Sequence, residues 1–279
     1  MTIDIIISTY KNRINRLNNF LFKPKEGINY IIIHQIQQDD ERWDSDVYNS
    51  NTHVEYYPFK ENGLAKSRNR GIQNSKSDII LLVDDDIQLK YENLNKLVEC
   101  FKHNNHVDII TFQSEQANGN LRKQYRDFKY FHNQKTIAGV SSIEIAFRRS
   151  SVMNKQIRFD ERFGLGAAFP VSEEYIFLSD CLKNKLKILY VPLALSIHKD
   201  NESTGSKYTE ELIRAKGAVF QRTLGFFGFA GIIYFSVKHH KAYKQIFTYF
   251  AFIRYAFSGL MQYLKSRKMN ITRFIFIYL

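Results

Sequence analysis

Asp78-Ile79-Ile80-Leu81-Leu82-Val83-Asp84-Asp85-Asp86 is the stretch from which the rest of the chain is best read. Residues 79–83 are uninterrupted branched aliphatics, the pattern of a strand buried on both faces, as in a parallel sheet covered by helices. Three consecutive carboxylates at the end of such a strand repel one another unless a cation or hydrogen-bond donors neutralise them. A divalent metal does this directly: the alternate pair Asp84 and Asp86 offers hard oxygen ligands to Mg²⁺ or Mn²⁺, whose remaining positions suit diphosphate oxygens. The plainer alternative is a solvated acidic turn capping the helix marked by Leu94, Leu97, Val98 and Phe101.

Working outward, Ile3-Asp4-Ile5-Ile6-Ile7 and Tyr30-Ile31-Ile32-Ile33 are two more buried-strand runs. Ile14, Leu17 and Leu21 between them stand at helical spacing, and Val107 to Phe112 reads as a fourth strand. Strand–helix–strand repetition predicts an α/β fold with a mostly parallel central sheet flanked by helices. Ligands of such sheets gather beyond the carboxyl ends of the strands, so Thr9, Tyr10 and the three aspartates fall on one rim. Gly63-Leu64-Ala65-Lys66-Ser67-Arg68-Asn69-Arg70-Gly71-Ile72 puts three cations on a short helix ahead of the acidic strand, where cations and aspartates can meet around a phosphate-bearing ligand. The glycine-rich spacing of a P-loop is missing. Ser8-Thr9-Tyr10-Lys11-Asn12-Arg13 stands where a dinucleotide-binding glycine fingerprint would, which argues against nicotinamide or flavin redox chemistry.

Composition sets the outer bounds. The 279 residues are 44% hydrophobic and 24% charged, with Cys100 and Cys181 far apart, so disorder and a disulfide scaffold are excluded and a reducing compartment is expected. The N-terminus shows no basic, cleavable leader, so a cytoplasmic location is expected. Net charge is +12, yet from Lys207 onward twelve Lys/Arg face only Glu210 and Glu211. This basic, aromatic tail suits an anionic membrane face. Ile246, Tyr249, Phe250, Ile253, Phe257, Leu260, Met261 and Leu264 form an apolar helical stripe opposite Thr248, Ser258 and Gln262. Cations such as Arg222, Lys238, Lys241, Lys244 and Lys265 flank the apolar stretches, residues 223–237 and 245–264. The first is short for a membrane span. The expectation is helices lying in the interface, against the alternative that the stripe packs on the preceding domain. No nucleic-acid-binding signature accompanies the charge.

Taken together these blocks resemble the GT-A glycosyltransferases of family 2, which move a sugar from a nucleotide-sugar to a growing glycan. The resemblance rests on the order of Ser8 to Arg13, Gly63 to Ile72, Val83-Asp84-Asp85-Asp86-Ile87, and Phe159-Asp160-Glu161-Arg162-Phe163-Gly164-Leu165-Gly166 with Ser172-Glu173-Glu174 and His198. It implies a GT-A catalytic domain over residues 1–205 and a C-terminal helical extension over residues 206–279. It further implies that Thr9, Tyr10, Arg13, Lys66, Arg68, Asp84 and Asp85 bind the nucleotide-sugar. Asp86, with Asp84 and His198, would hold Mn²⁺ or Mg²⁺. Glu174 matches the family's catalytic base, where Gly-Glu-Asp is usual, and the longer glutamate lets Glu173 share the role. The aspartate pair that family members often carry after the second strand is absent at His34-Gln35-Ile36-Gln37-Gln38; Asp39 and Asp40 come slightly later.

The reaction this resemblance implies is an inverting, metal-dependent transfer from a UDP-sugar to a hydroxyl of a lipid-linked glycan in bacterial surface-polysaccharide assembly. The enzyme would lie peripherally at the inner face of the cell membrane, held by residues 207–279, with residues 200–206 as a lid over the donor. Two rival classes are a phosphatase of the haloacid-dehalogenase type, which Gln88 argues against, and a non-catalytic nucleotide-sugar or lipid-binding protein.

Overall fold

A computed structural model of the chain describes residues 1–19, 22, 26–37, 52–198 and 208–277. Asp39, Asp40 and the polar stretch 200–206 lie outside the described residues. The chain forms two compact units, residues 1–161 with 177–201, and residues 162–176 with 202–279.

The first unit is an α/β sheet. Strands β1 (Ile3–Tyr10), β2 (Ile28–Gln35), β3 (Val54–Phe59) and β4 (Ile79–Asp84) run parallel. They share the sheet with β5 (Ile87–Leu89), β6 (Ile109–Gln116), β7 (Tyr130–Phe131), β8 (Ile145–Arg148) and β9 (Ile188–His198). Spatial order is β3-β2-β1-β4-β8-β6-β9-β5, with β7 on β9. β8 runs antiparallel between β4 and β6, so the two stretches read as successive strands are not neighbours. The aliphatic runs of β1, β2 and β4 are buried on both faces; alternate residues, Ile5, Ile7, Ile32, Leu81 and Val83 among them, share one core with Leu94, Leu97 and Phe101.

Helix α1 (Leu64–Asn74) covers the sheet beside β1 and β2. Gly71 permits the close approach, because a Cβ there would stand 2.3 Å from the Ile6 side chain. Helix α2 (Tyr91–His103) follows β5. The segment Lys11–Asn19 is a 3₁₀ helix rather than the α-helix its apolar spacing suggests. Ile14 and Leu17, three apart, go inward together, which a three-residue turn satisfies as well as an α-turn. A short helix, α3 (Arg149–Asn154), then precedes α4 (Glu173–Lys183).

The second unit is helical: α5 (Glu210–Leu224), α6 (Gly228–Lys238), α7 (His240–Tyr243) and α8 (Tyr249–Ile277). Residues 210–238 are long and apolar enough to cross a membrane by length and composition alone. The run nevertheless reverses: Gly225, at φ +57°, ends α5. Phe220 and Phe235, which would lie about 22 Å apart along one straight helix, have ring centroids 5.6 Å apart. α5 crosses α8 at glycines, since a Cβ on Gly217 would fall 1.7 Å from Ala256 O and one on Gly259 1.9 Å from Arg214 O.

Candidate functional site

The acidic triplet sits in the turn between β4 and β5, with Asp85 only 5% exposed. A strand follows it, and α2 starts later, after Lys90, so these acids do not cap a helix.

Three arginines meet them, two from the 3₁₀ helix and one from α1. Arg13 Nε donates to both oxygens of Asp85, at 3.0 and 3.1 Å, and its Nη2 reaches Asp85 and, at 3.4 Å, Asp86. Arg16 Nη1 lies 3.4 Å from Asp86 Oδ2. Positions three apart on a 3₁₀ helix share a face, which is how Arg13 and Arg16 converge. Sequence reading singled out Arg13 and missed Arg16, although the three-residue spacing was the available signal. Burial pushes the Asp85 carboxyl up from its ordinary value, and the Arg13 guanidinium opposes that shift.

The other arginine comes from α1. Arg68 is 1% exposed, stands with its guanidinium carbon 5.5 Å from the Phe159 ring centroid, and donates to Asp84 Oδ1 at 3.2 Å. Asp84 is thereby turned toward Arg68. The neighbouring Lys66 is half-buried on the same helix.

The start of α1 is fixed by Gln35, whose Nε2 donates to Gly63 O at 3.0 Å while its Oε1 accepts from Gly63 N at 3.2 Å. Ser67 Oγ donates to Ser8 Oγ at 2.7 Å. Asn69 donates to Phe159 O and Glu161 Oε1 and accepts from Phe159 N, so it ties α1 to the next motif. Gln35 and Asn69 escaped sequence reading because an amide carries no charge signal.

At the end of β1, Thr9 is buried and Tyr10 half-buried, and Gln37 Nε2 donates to the Tyr10 hydroxyl at 2.9 Å. Buried His34 links this edge to β3: its Nε2 donates to Lys11 O at 2.9 Å, and its Nδ1 accepts from the Tyr56 hydroxyl at 2.7 Å.

His198 reaches the rim by a kink in β9. The register with β6 slips between Thr111 and Gln113, so residues 191–193, including Pro192, bulge out. The rest of β9 then pairs antiparallel with β5, setting His198 opposite Ile87, the residue after Asp86. His198 Nε2 is 3.9 Å from Asp86 Oδ1. Among the described residues, Asp86 Oδ1 and His198 Nδ1 are buried without hydrogen-bond partners. The unsatisfied Asp86 Oδ1 and the His198 Nε2 that faces it are donor types that fit a divalent cation. No third His, Cys, Asp or Glu joins them as a metal-holding cluster among the described residues, so other oxygens would complete the shell.

Glu173 and Glu174 open α4 and belong to the second unit. Glu173 is 5% exposed and packs over Gly164, where a Cβ would stand 3.1 Å from the Glu173 carboxyl carbon. Glu174 is half-buried, and its charge acts on Lys216 of α5: burial pushes the ammonium down, while Glu174 holds it up.

With this geometry in place, comparison with known proteins is direct. The family described as Glycosyl transferase family 2 matches residues 6–157, more than half of the chain. Dolichol-phosphate mannosyltransferase of Pyrococcus furiosus is 29% identical over 122 residues, covering 39% of this chain and 32% of that protein. The match thus spans about a third of that relative's length. The fold is similar to S. aureus TarS 1-349, with TM-score 0.60 and 16% identity over 81% of this chain and 66% of that one. It is equally similar to the same protein in complex with UDP-GlcNAc, with TM-score 0.59 and 17% identity over 81% and 67% of the two chains. Matched over more than half of its length, the chain belongs to glycosyl transferase family 2.

Proposed function

We propose that the protein is an inverting, metal-dependent glycosyltransferase that moves a sugar from a nucleoside-diphosphate sugar, a UDP-sugar in the first instance, to a hydroxyl of a lipid-linked glycan in bacterial surface-polysaccharide assembly. The observation that carries the reading is the Asp86–His198 pair at the sheet rim, where Asp86 Oδ1, buried without a hydrogen-bond partner, stands 3.9 Å from His198 Nε2. The UDP-GlcNAc complex of the similarly folded TarS supports a nucleotide-sugar donor.

Asp86 and His198 would hold Mn²⁺ or Mg²⁺, with Asp84 adjoining; when bound, the cation offsets the negative charge that grows on the departing diphosphate. Arg13 and Arg16, now paired to Asp85 and Asp86, stand where guanidinium groups can also reach phosphate oxygens. Thr9 and Tyr10 would border the base, and Lys66 the phosphates. Arg68 acts behind Asp84, fixing the direction of its carboxylate. Glu174, or Glu173 beside it, takes the proton from the acceptor hydroxyl. That oxygen attacks the anomeric carbon on the face opposite the diphosphate, the C–O bond to the diphosphate breaks with its electron pair leaving on the nucleotide, and no covalent enzyme intermediate forms. Residues 207–279 would keep the enzyme at the anionic inner face of the cell membrane, where the acceptor resides.

The test is a thermal-shift screen of UDP-, GDP- and dTDP-sugars with and without Mn²⁺, followed by measurement of nucleotide release. A donor that stabilises the protein only with metal, and is then turned over, is the expected result. Flat melting curves with every donor in the presence of Mn²⁺ would overturn the reading.

A further inference from the structure

The helical unit leaves an unusual set of side chains outside. Phe226 is 94% and Phe250 83% exposed, and Phe227, Phe229, Phe257 and Met261 are exposed as well. They fall in two groups that touch. Residues 225–229 form the tip where α5 turns back into α6, with the Phe226 and Phe227 rings packed edge-on, centroids 5.6 Å apart. On α8, Phe250, Arg254, Phe257 and Met261 recur at helical spacing on one outward face, and the Phe229 and Phe257 ring centroids stand 6.0 Å apart, joining tip to face. The core of the unit is built from a different face of α8, through Phe252, Ala256, Leu260 and Tyr263. The outward residues are therefore not needed to close it.

Apart from Glu210, which accepts from the Tyr255 hydroxyl at 2.6 Å, and Glu211, the charge on these helices is positive. From residue 212 to residue 279 there is no Asp or Glu. Lys238, Lys241, Lys244, Arg254 and Lys265 are all exposed. Lys238 Nζ lies 5.6 Å from the ring centroid of exposed Tyr234. Aromatic rings with long cationic side chains beside them match the boundary between acyl chains and anionic headgroups, where rings enter the apolar layer and ammonium groups meet phosphate.

We propose that the 225–229 tip and the Phe250–Phe257–Met261 face of α8 form one membrane-docking surface that inserts shallowly into an anionic bilayer. The reversal at Gly225 makes α5 and α6 a hairpin presenting aromatic residues at its end, so the unit binds one leaflet and does not span the membrane. The inference rests on the membrane placement given above and adds which residues enter the lipid.

The full chain is sedimented with phosphatidylcholine vesicles with and without phosphatidylglycerol. Phe226→Ser/Phe227→Ser is compared with wild type, and Phe226→Trp is read by quenching from lipids brominated near the headgroup. Phe128→Trp, an exposed position in the other unit, serves as the reference. Wild type is expected to bind only the anionic vesicles. The double serine variant is expected to lose at least about tenfold in partitioning, since two phenylalanines leave the lipid, while keeping its melting temperature and its response to a nucleotide-sugar. Phe226→Trp is expected to be quenched and Phe128→Trp not. If wild type and the serine variant bind alike, the docking surface is refuted while membrane placement survives. If wild type binds neither vesicle, both fall. If the serine substitutions convert a dimer to a monomer without changing vesicle binding, the surface belongs to a second copy of the chain and the proposal is overturned.

Discussion

Asp86 and His198 meet because β9 kinks: the bulge around Pro192 lets its last residues leave β6's first register and pair with β5, which brings Nε2 to 3.9 Å from Asp86 Oδ1. His198→Ala and Asp86→Asn should each weaken Mn²⁺ binding, measured calorimetrically with UDP present, by more than the roughly 10- to 100-fold typical of losing an outer partner of a metal ligand. Folding should be intact in both, because Asp86 Oδ2 meets only the half-exposed Arg13 and Arg16, at 3.4 Å each, and an asparagine oxygen can still accept from them. Unchanged Mn²⁺ affinity in either variant would remove that residue from the cation site.

Arg68 is a buried guanidinium between Asp84 and Phe159, and it should act on stability as well as catalysis. Truncating one partner of a buried ion pair commonly costs about 3–5 kcal/mol, and the partial exposure of Asp84 places Arg68→Met near the lower figure. The urea midpoint of the variant checks this. A midpoint equal to wild type would mean that solvent already satisfies Asp84.

The α5–α8 crossing has no room for side chains at Gly217 or Gly259. Valine at either position must push the helices apart, and overpacking of this kind costs about 1–3 kcal/mol or more. Proteolysis of Gly217→Val should cut first within residues 208–277, while the sheet unit persists as a resistant fragment. Equal resistance throughout the chain would contradict so tight a crossing.

How much of this was legible in sequence depends on which forces write a periodic signal. β1, β2 and β4 are buried on both faces, so their aliphatic runs announced a parallel sheet, and the charge cluster after β4 announced the rim. β8 and β5 did not announce themselves, being four and three residues long and defined by their partners. The stripe read on α8 is a real apolar face, but Phe250, Phe257 and Met261 of it point outward while Phe252 and Tyr263 form the packing face, because a helix apolar on most sides does not reveal which side meets the core. Arg68 read as a phosphate ligand by charge alone; its burial under Asp84 depends on Phe159, far away in sequence.

His132 should make the sheet unit sensitive to mild acid. It is buried between Thr111 and Thr136, at 2.8 and 3.0 Å, and burial lowers its pKa to about 4. The unfolded chain takes up the proton near pH 6.5 and the folded one only near 4, so the stability is whole above 6.5 and falls as pH drops through that window. At about 1.36 kcal/mol per unit the effect is at most about 3 kcal/mol. Melting temperatures from pH 7 to 4 should fall more steeply for wild type than for His132→Gln, and parallel curves would exclude His132 as the cause.

The choice between Glu173 and Glu174 can be made by separating rate from stability. Glu173 is packed against Gly164, so truncation in Glu173→Ala should lower the melting temperature. Glu174 is more open, and Glu174→Gln should lower kcat by about 10²–10⁴-fold, the usual worth of a general base, with a smaller melting shift that reflects the loss of its charge beside Lys216. Lys216 supplies an independent check, because its charge and that of Glu174 act on each other. Removing the cation in Lys216→Met disfavours the ionised carboxylate beside it, so the acidic limb of the kcat profile must move to higher pH. A profile that stays in place in Lys216→Met, together with full turnover in Glu174→Gln, would assign the proton transfer to Glu173 instead.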